Sequence, residues 1–306
     1  MFPFQAKKNK LEILHMRKKV FVASLPLFAF MLMLCSTTEP TPMIVKVPEP
    51  EIPKIITYSF AEAITWSDEF DSDGRPDDSI WNYDLGAGGW GNKESQHYTN
   101  DSSTSRVEEG NLVIETRKSD ELPKYTSARM VTKNKKDFLY GRIEVKAKLP
   151  VGRGTWAAIW TLGSNDIYGS EAYWPDNGEM DLMEHVGFDQ DVIHSNIHTR
   201  AFHHSIGTNK GQKKFIKDAS VDFHIYRLDW YPNAVEFYID DELLFEFKKI
   251  FGYTWREWPF DQPQHLLLNI AIGGDWGGQK GIDDSVFPQK MLVDYVRYYD
   301  LVITEE

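Results

Sequence analysis

From about residue 58 onward the chain alternates between apolar and polar positions. Ile143, Val145, Ala147 and Leu149 are interleaved with Arg142, Glu144, Lys146 and Lys148, the period of a half-buried strand. Segments 111–116, 192–199, 226–230, 235–239, 265–272 and 291–299 are rich in β-formers and are expected strands. Asp240-Asp241, between 235–239 and 243–247, predicts a hairpin. No long stretch carries a helical apolar period, and no internal repeat is visible. Strands of this number and spacing predict an all-β fold of two stacked antiparallel sheets, a sandwich or jelly roll. In a large sandwich with long loops, one sheet can curve into an open, concave groove.

The first 57 residues do not share this pattern. Lys7, Lys8, Lys10, Arg17, Lys18 and Lys19 precede an uncharged run from Val20 to Cys35. A basic start followed by a short apolar stretch, interrupted by Pro26, reads as a secretory signal and not as a bilayer span. Met16, followed by Arg17-Lys18-Lys19, would make a normal signal start by itself. Cys35 ends the run where a bacterial lipoprotein carries its lipidated cysteine, although Leu34 is larger than the residue that pattern wants. Residues 1–35 are therefore expected to target the protein to an extracellular or periplasmic location. Anchoring to the outer membrane through Cys35 is the alternative to a plain signal. Pro40, Pro42, Pro48, Pro50 and Pro53 then mark 36–57 as an extended linker, leaving 58–306 as the folded domain.

Charge and cysteine content narrow the function. Asp and Glu total 46 against 34 Lys and Arg, a formal net charge of -12; this repels phosphate backbones and makes nucleic acid a poor partner. A single cysteine excludes a disulfide framework and a Cys-based zinc site. All 10 tryptophans lie from Trp66 onward, inside the expected domain.

The segment 174–187 concentrates the chemistry. Glu179, Asp181 and Glu184 are interleaved with Met180, Leu182 and Met183, so the strand is buried and its carboxylates must be hydrogen-bonded or share protons. Glu179 and Asp181 face one side of a strand. Glu184, five residues from Glu179, joins them only if a β-bulge near Leu182–Met183 adds one residue. The glutamates would then lie about 13 Å apart at Cα. Inward-leaning side chains would bring the carboxyls to about 5 Å, the separation of a retaining glycosidase. A strand with surface carboxylates on both faces is the plainer reading.

Gly178-Glu-Met-Asp-Leu-Met-Glu184 resembles the G-E-x-D-x-x-E signature of glycoside hydrolase family sixteen, in its bulged, laminarinase-like form. Segments 66–70, 91–99, 127–130, 140–145, 156–160, 271–278 and 293–297 are similar to the same branch, so the resemblance covers the whole domain. It implies a β-jelly roll with a cleft along the concave sheet. It also implies Glu179 as nucleophile, Glu184 as general acid/base and Asp181 in support. Asn92, Glu94 and Arg129 match positions that bind glucose hydroxyls, and Arg129 also suits a rim salt bridge.

Trp156, Trp160, Trp174 and Trp276 fall where the family lines its cleft; indole rings stack on the apolar faces of sugars. Trp66, Trp81 and Trp230 are expected in the core. His198 is expected to reach the leaving-group side. His194, His198, His203 and His204 are too irregularly spaced for a metal. The chemistry needs no cofactor. A structural calcium is expected at Glu69, the Gly110 carbonyl and Asp294, where relatives carry one and where oxygen ligands suit that ion. The implied activity is endo-hydrolysis of a β-1,3-glucan of the laminarin type, with mixed-linkage β-1,3-1,4-glucan a second substrate, by a monomer. A galactanase of the same fold, acting on agarose or carrageenan, and a non-catalytic β-glucan-binding protein are the alternatives. Net acidity disfavours sulfated chains, and glucan-binding relatives lose the glutamates that are present here.

Overall fold

The alternating segment around Ile143 is the strand Gly141–Lys148. Ile143, Val145 and Ala147 are fully buried, and the charged residues between them point outward to ion pairs, Arg142 with Asp229 at 2.7 Å and Lys146 with Asp294 at 2.6 Å. The structure is a computed structural model that describes residues 55–169 and 173–305. All of these belong to the compact unit Pro53–Glu306. The expected targeting segment and most of the linker lie outside the described residues. The strand Ile56–Phe60 pairs with Leu301–Glu305, so a strand already takes in Ile56 and Thr57 of the expected linker.

The expected two sheets are present. One runs Glu242–Lys248, Ala234–Ile239, His224–Trp230, Gly141–Lys148, Gln289–Tyr299, Asn111–Lys118, Tyr125–Ser127 and His97–Tyr98. The other runs Lys210–Phe215, Val192–His198, Glu179–Val186, Thr155–Gly163, Gln264–Ile272, Arg129–Val131 and Asn82–Tyr83. Ile143, Leu228, Val293 and Val296 of the first meet Ile159, Met180, Ile197, Leu268 and Ile270 of the second in one core. Each fully buried aliphatic side chain there contributes about 1.5–3 kcal/mol. This is the jelly-roll class of β-sandwich.

Local departures have local causes. Asp240 and Asp241 both take positive φ, 48° and 67°, the backbone of the tight turn expected between Ala234–Ile239 and Glu242–Lys248. Gln264–Ile272 is buried along its whole length, so it reads as a continuous run and not as an alternation. Lys210–Phe215 was not anticipated. Its sequence, KGQKKF, is polar because it is an edge strand, where lysines discourage pairing with other chains.

Candidate active site

The strand Glu179–Val186 carries the expected bulge. On one side Met183 pairs with Ile159 and Asp181 with Trp160, which skips Leu182. On the other side Glu184 pairs with His194 and Asp181 with Asn196. Met180, Leu182 and Met183 all turn into the core, and Glu179, Asp181 and Glu184 share the opposite face. The bulge's loose backbone group is satisfied: Ser195 Oγ donates to the Leu182 carbonyl at 2.8 Å. Gly178, just before the strand, has φ +80°, and a Cβ there would stand 2.7 Å from Pro259 and 3.0 Å from Phe260.

Each glutamate accepts an indole N–H. Trp174 Nε1 donates to Glu179 Oε2 at 2.7 Å, and Trp156 Nε1 donates to Glu184 Oε1 at 3.1 Å. Asn196 Nδ2 donates to the other oxygen of Glu184 at 2.9 Å. Burial and the neighbouring Asp181 push the Glu179 carboxyl up to about 8. Burial also raises Asp181, well above the usual range, with Glu184 adding to it. Glu184 is raised by burial, offset by His198 and by the Asn196 and Trp156 donors. Three such carboxyls cannot all be ionised, so the group retains protons.

His198 does not stand on the Glu184 side. Its Nε2 lies 3.4 Å from Asp181 and 3.7 Å from Glu179. The antiparallel register pairs it with Glu179 and brings His194, four residues earlier, opposite Glu184. His203 and His204 pack around Trp174 at 5.4 and 5.3 Å between ring centroids. Glu179, Asp181 and His198 place ligand atoms within 4.8 Å of one another, the one such group among the described residues. Burial that keeps a proton on the Glu179–Asp181 pair works against a cation.

The other cleft residues form a connected wall. Trp160 Nε1 donates to Asn269 at 2.8 Å, Asn269 to the Tyr98 hydroxyl at 3.1 Å, and Tyr98 to Glu94 at 3.4 Å. Asn92 and Gln96 also donate to Glu94, at 3.2 and 2.6 Å. Arg129 lies between two indoles, 4.7 Å from Trp160 and 5.0 Å from Trp90, and pairs with Asp84 at 3.0 Å. Trp276 stands edge-on to Trp156 at 5.3 Å. Trp90, Gln96, Tyr98, Asn196 and Asn269 were missed from sequence. Asn269 alone left a signal, as a polar residue inside the apolar run 266–272. Trp81 and Trp230 are core residues, and Trp66 packs against the core.

The calcium expectation does not fit the side chains. Arg297 holds both oxygens of Glu69, at 3.0 and 2.8 Å, and Lys146 takes Asp294. A cation bound by these carboxylates would displace a guanidinium and an ammonium, so they belong to an ion-pair network.

A jelly roll that lines up paired, indole-bonded carboxylates between walls of tryptophan defines a polysaccharide-cleaving glycoside hydrolase. The family model for glycosyl hydrolases family 16 matches residues 92–297, and the chain belongs to that family. A β-glucanase of Rhodothermus marinus is 50% identical over 242 residues, 77% of this chain and 84% of its own length. The X-ray structure of the laminarinase from Rhodothermus marinus superposes with a TM-score of 0.77 at 48% identity, covering 80% of this chain and 99% of that one. A non-specific endo-β-1,3(4)-glucanase of the same family gives a TM-score of 0.72 at 42% identity, covering 79% and 91%.

Proposed function

We propose that the protein is an endo-acting, retaining β-1,3-glucanase for laminarin-type glucan, with mixed-linkage β-1,3-1,4-glucan a second substrate. The observation that carries this reading is the bulge that turns Glu179 and Glu184 to one face, each fixed by an indole donor. Glu179 is the nucleophile. Burial raises both Glu179 and Asp181, so the pair shares a proton, and attack on the anomeric carbon proceeds from the form in which Asp181 carries it and Glu179 is ionised. Glu184 gives its proton to the departing glycosidic oxygen as that bond breaks. It then takes a proton from water, which attacks the glycosyl-enzyme and frees Glu179. Arg129, Trp160, Asn92 and Glu94 hold the sugars on the retained side. Trp156, Trp174 and Trp276 wall the reacting centre.

The basic start and apolar run ahead of Cys35 support an extracellular or periplasmic location. Mass spectrometry of the mature amino terminus distinguishes a lipid on Cys35 from a cleaved signal. For the activity, reducing-sugar release from laminarin, lichenan, agarose and carrageenan is the test, with NMR of the first anomer formed. Release from laminarin with the β-anomer first is expected. No release from either glucan would overturn the substrate, and an α-anomer would overturn the retaining mechanism.

A further inference from the structure

One row of directly opposed residues crosses the sheet that bears the site. Arg129 pairs with Asn269, Asn269 with Ala158, Ala158 with Glu184, Glu184 with His194, and His194 with Lys213. Directly opposed residues in antiparallel strands face the same side of the sheet, so all six face the cleft. Arg129 and Asn269 occupy the row on one side of Glu184, Ala158 leaves space beside it, and His194 stands on the other. Beyond His194 only Lys213 remains, on the edge strand, with 60% of its side chain exposed.

We infer that His194 is a binding residue of the leaving-group subsite, where its imidazole hydrogen-bonds a hydroxyl of the sugar that departs. This rests on the glucanase reading, on its assignment of Glu184 as the acid and on its placing of the retained sugars toward Arg129. The proton donor sits at the bond being cut, and the retained sugars lie toward Arg129, so the departing sugar lies across His194.

The side chain suits that task. His194 Nε2 is buried and has no hydrogen-bond partner among the described residues, an arrangement that a ligand hydroxyl would complete. The ring stands edge-on to Trp276 at 4.9 Å and 87°, and Trp276 meets Trp156, the donor to Glu184. Together these rings make a corner with an apolar wall and one polar group, the composition of a sugar site. Burial, and then the charge of Lys213, hold the imidazole down to about 4, so near neutral pH it carries one N–H donor and one acceptor nitrogen. A sugar hydroxyl can use either.

The test compares two leaving groups. In wild type and in His194→Ala and His194→Asn, kcat/KM is measured on laminaritetraose, whose leaving group is sugar, and on an aryl β-laminaribioside, whose leaving group is not. One lost hydrogen bond corresponds to roughly a three- to tenfold effect. The expected loss on the tetrasaccharide exceeds that on the aryl glycoside by about that factor, with His194→Asn recovering part of it. Addition of laminaribiose to wild type is expected to shift the His194 ring resonances, a readout that does not require either variant to fold. Equal losses on the two substrates, or unshifted resonances, would overturn the inference. Wild-type protein inactive on laminaritetraose would instead overturn the glucanase reading on which it rests.

Discussion

The indole N–H of Trp174 donates to Glu179 Oε2 at 2.7 Å from only five residues upstream. Such a donor stabilises the ionised carboxylate, against the burial that raises it. Trp174→Phe keeps a ring and removes the N–H. A hydrogen bond to a charged group is worth about 1.5–3 kcal/mol, so kcat/KM on laminarin should fall by roughly 10- to 100-fold. Near-normal kinetics would show that the bond does not serve the attack.

Asn196 plays the corresponding part for Glu184, donating at 2.9 Å. Asn196→Ala removes a donor that favours the ionised form, so the Glu184 carboxyl should rise. The alkaline limb of kcat/KM, where the acid loses its proton, should then move upward by about half a unit to one pH unit. A limb that stays in place or moves down would remove Glu184 from the acid role.

Glu179 makes stability depend on pH. Its folded value near 8 exceeds the ordinary 4.5, so between these the folded protein holds a proton that the unfolded chain has released. This contribution is complete below about 4.5 and is lost as pH rises through about 8. Asp181 and Glu184, also raised by burial, act in the same sense. His185, His194 and His265, lowered by burial to about 4, 4 and 3, act oppositely. Their contribution is present above 6.5 and lost as pH falls toward those values. Above pH 6.5 the carboxyls therefore dominate. Thermal melts should show Tm falling from about pH 6.5 to about pH 9, and Glu179→Gln should raise Tm by at least about 4 °C at the upper end, with a smaller gain at the lower. Parallel curves for the two proteins would contradict this.

Gly178 is constrained twice, by φ +80° and by Pro259 and Phe260 against its missing Cβ. Gly178→Ala should cost about 1–3 kcal/mol and displace Glu179, lowering both Tm and activity. Retention of wild-type melting and rate would refute it.

The strands and the acidic face were legible because they depend on local period. Gly141–Lys148 and the Asp240-Asp241 turn follow from neighbouring residues alone. The bulge follows from the parity of a five-residue spacing combined with the adjacent apolar pair Leu182-Met183, which breaks the alternation. Contacts made across the sheet were not legible. Asn269 meets Tyr98 from 171 positions away, and Trp174 and Trp156 look alike in sequence although each serves a different glutamate. The misplacement of His198 is of the same kind. Antiparallel pairing reverses order, so the histidine nearer in sequence to Glu184 takes the place beside it. Glu69 and Asp294 show the converse case, oxygen ligands in suitable positions whose partners, Arg297 and Lys146, lie on adjoining strands.

The register around Leu182 shows what sets the distance between the two glutamates. Glu179 lies opposite Leu162 and Glu184 opposite Ala158, so five steps on one strand are laid against four on the next. The neighbouring strand acts as the ruler, and the extra residue is slack taken up toward the core. A chain lacking Leu182 would alternate regularly as Glu-Met-Asp-Met-Glu and keep both carboxyls at the same marks. A residue lost between Ala158 and Leu162 would shorten the ruler itself. The spacing of the catalytic pair is thus recorded in a strand that carries neither of its members.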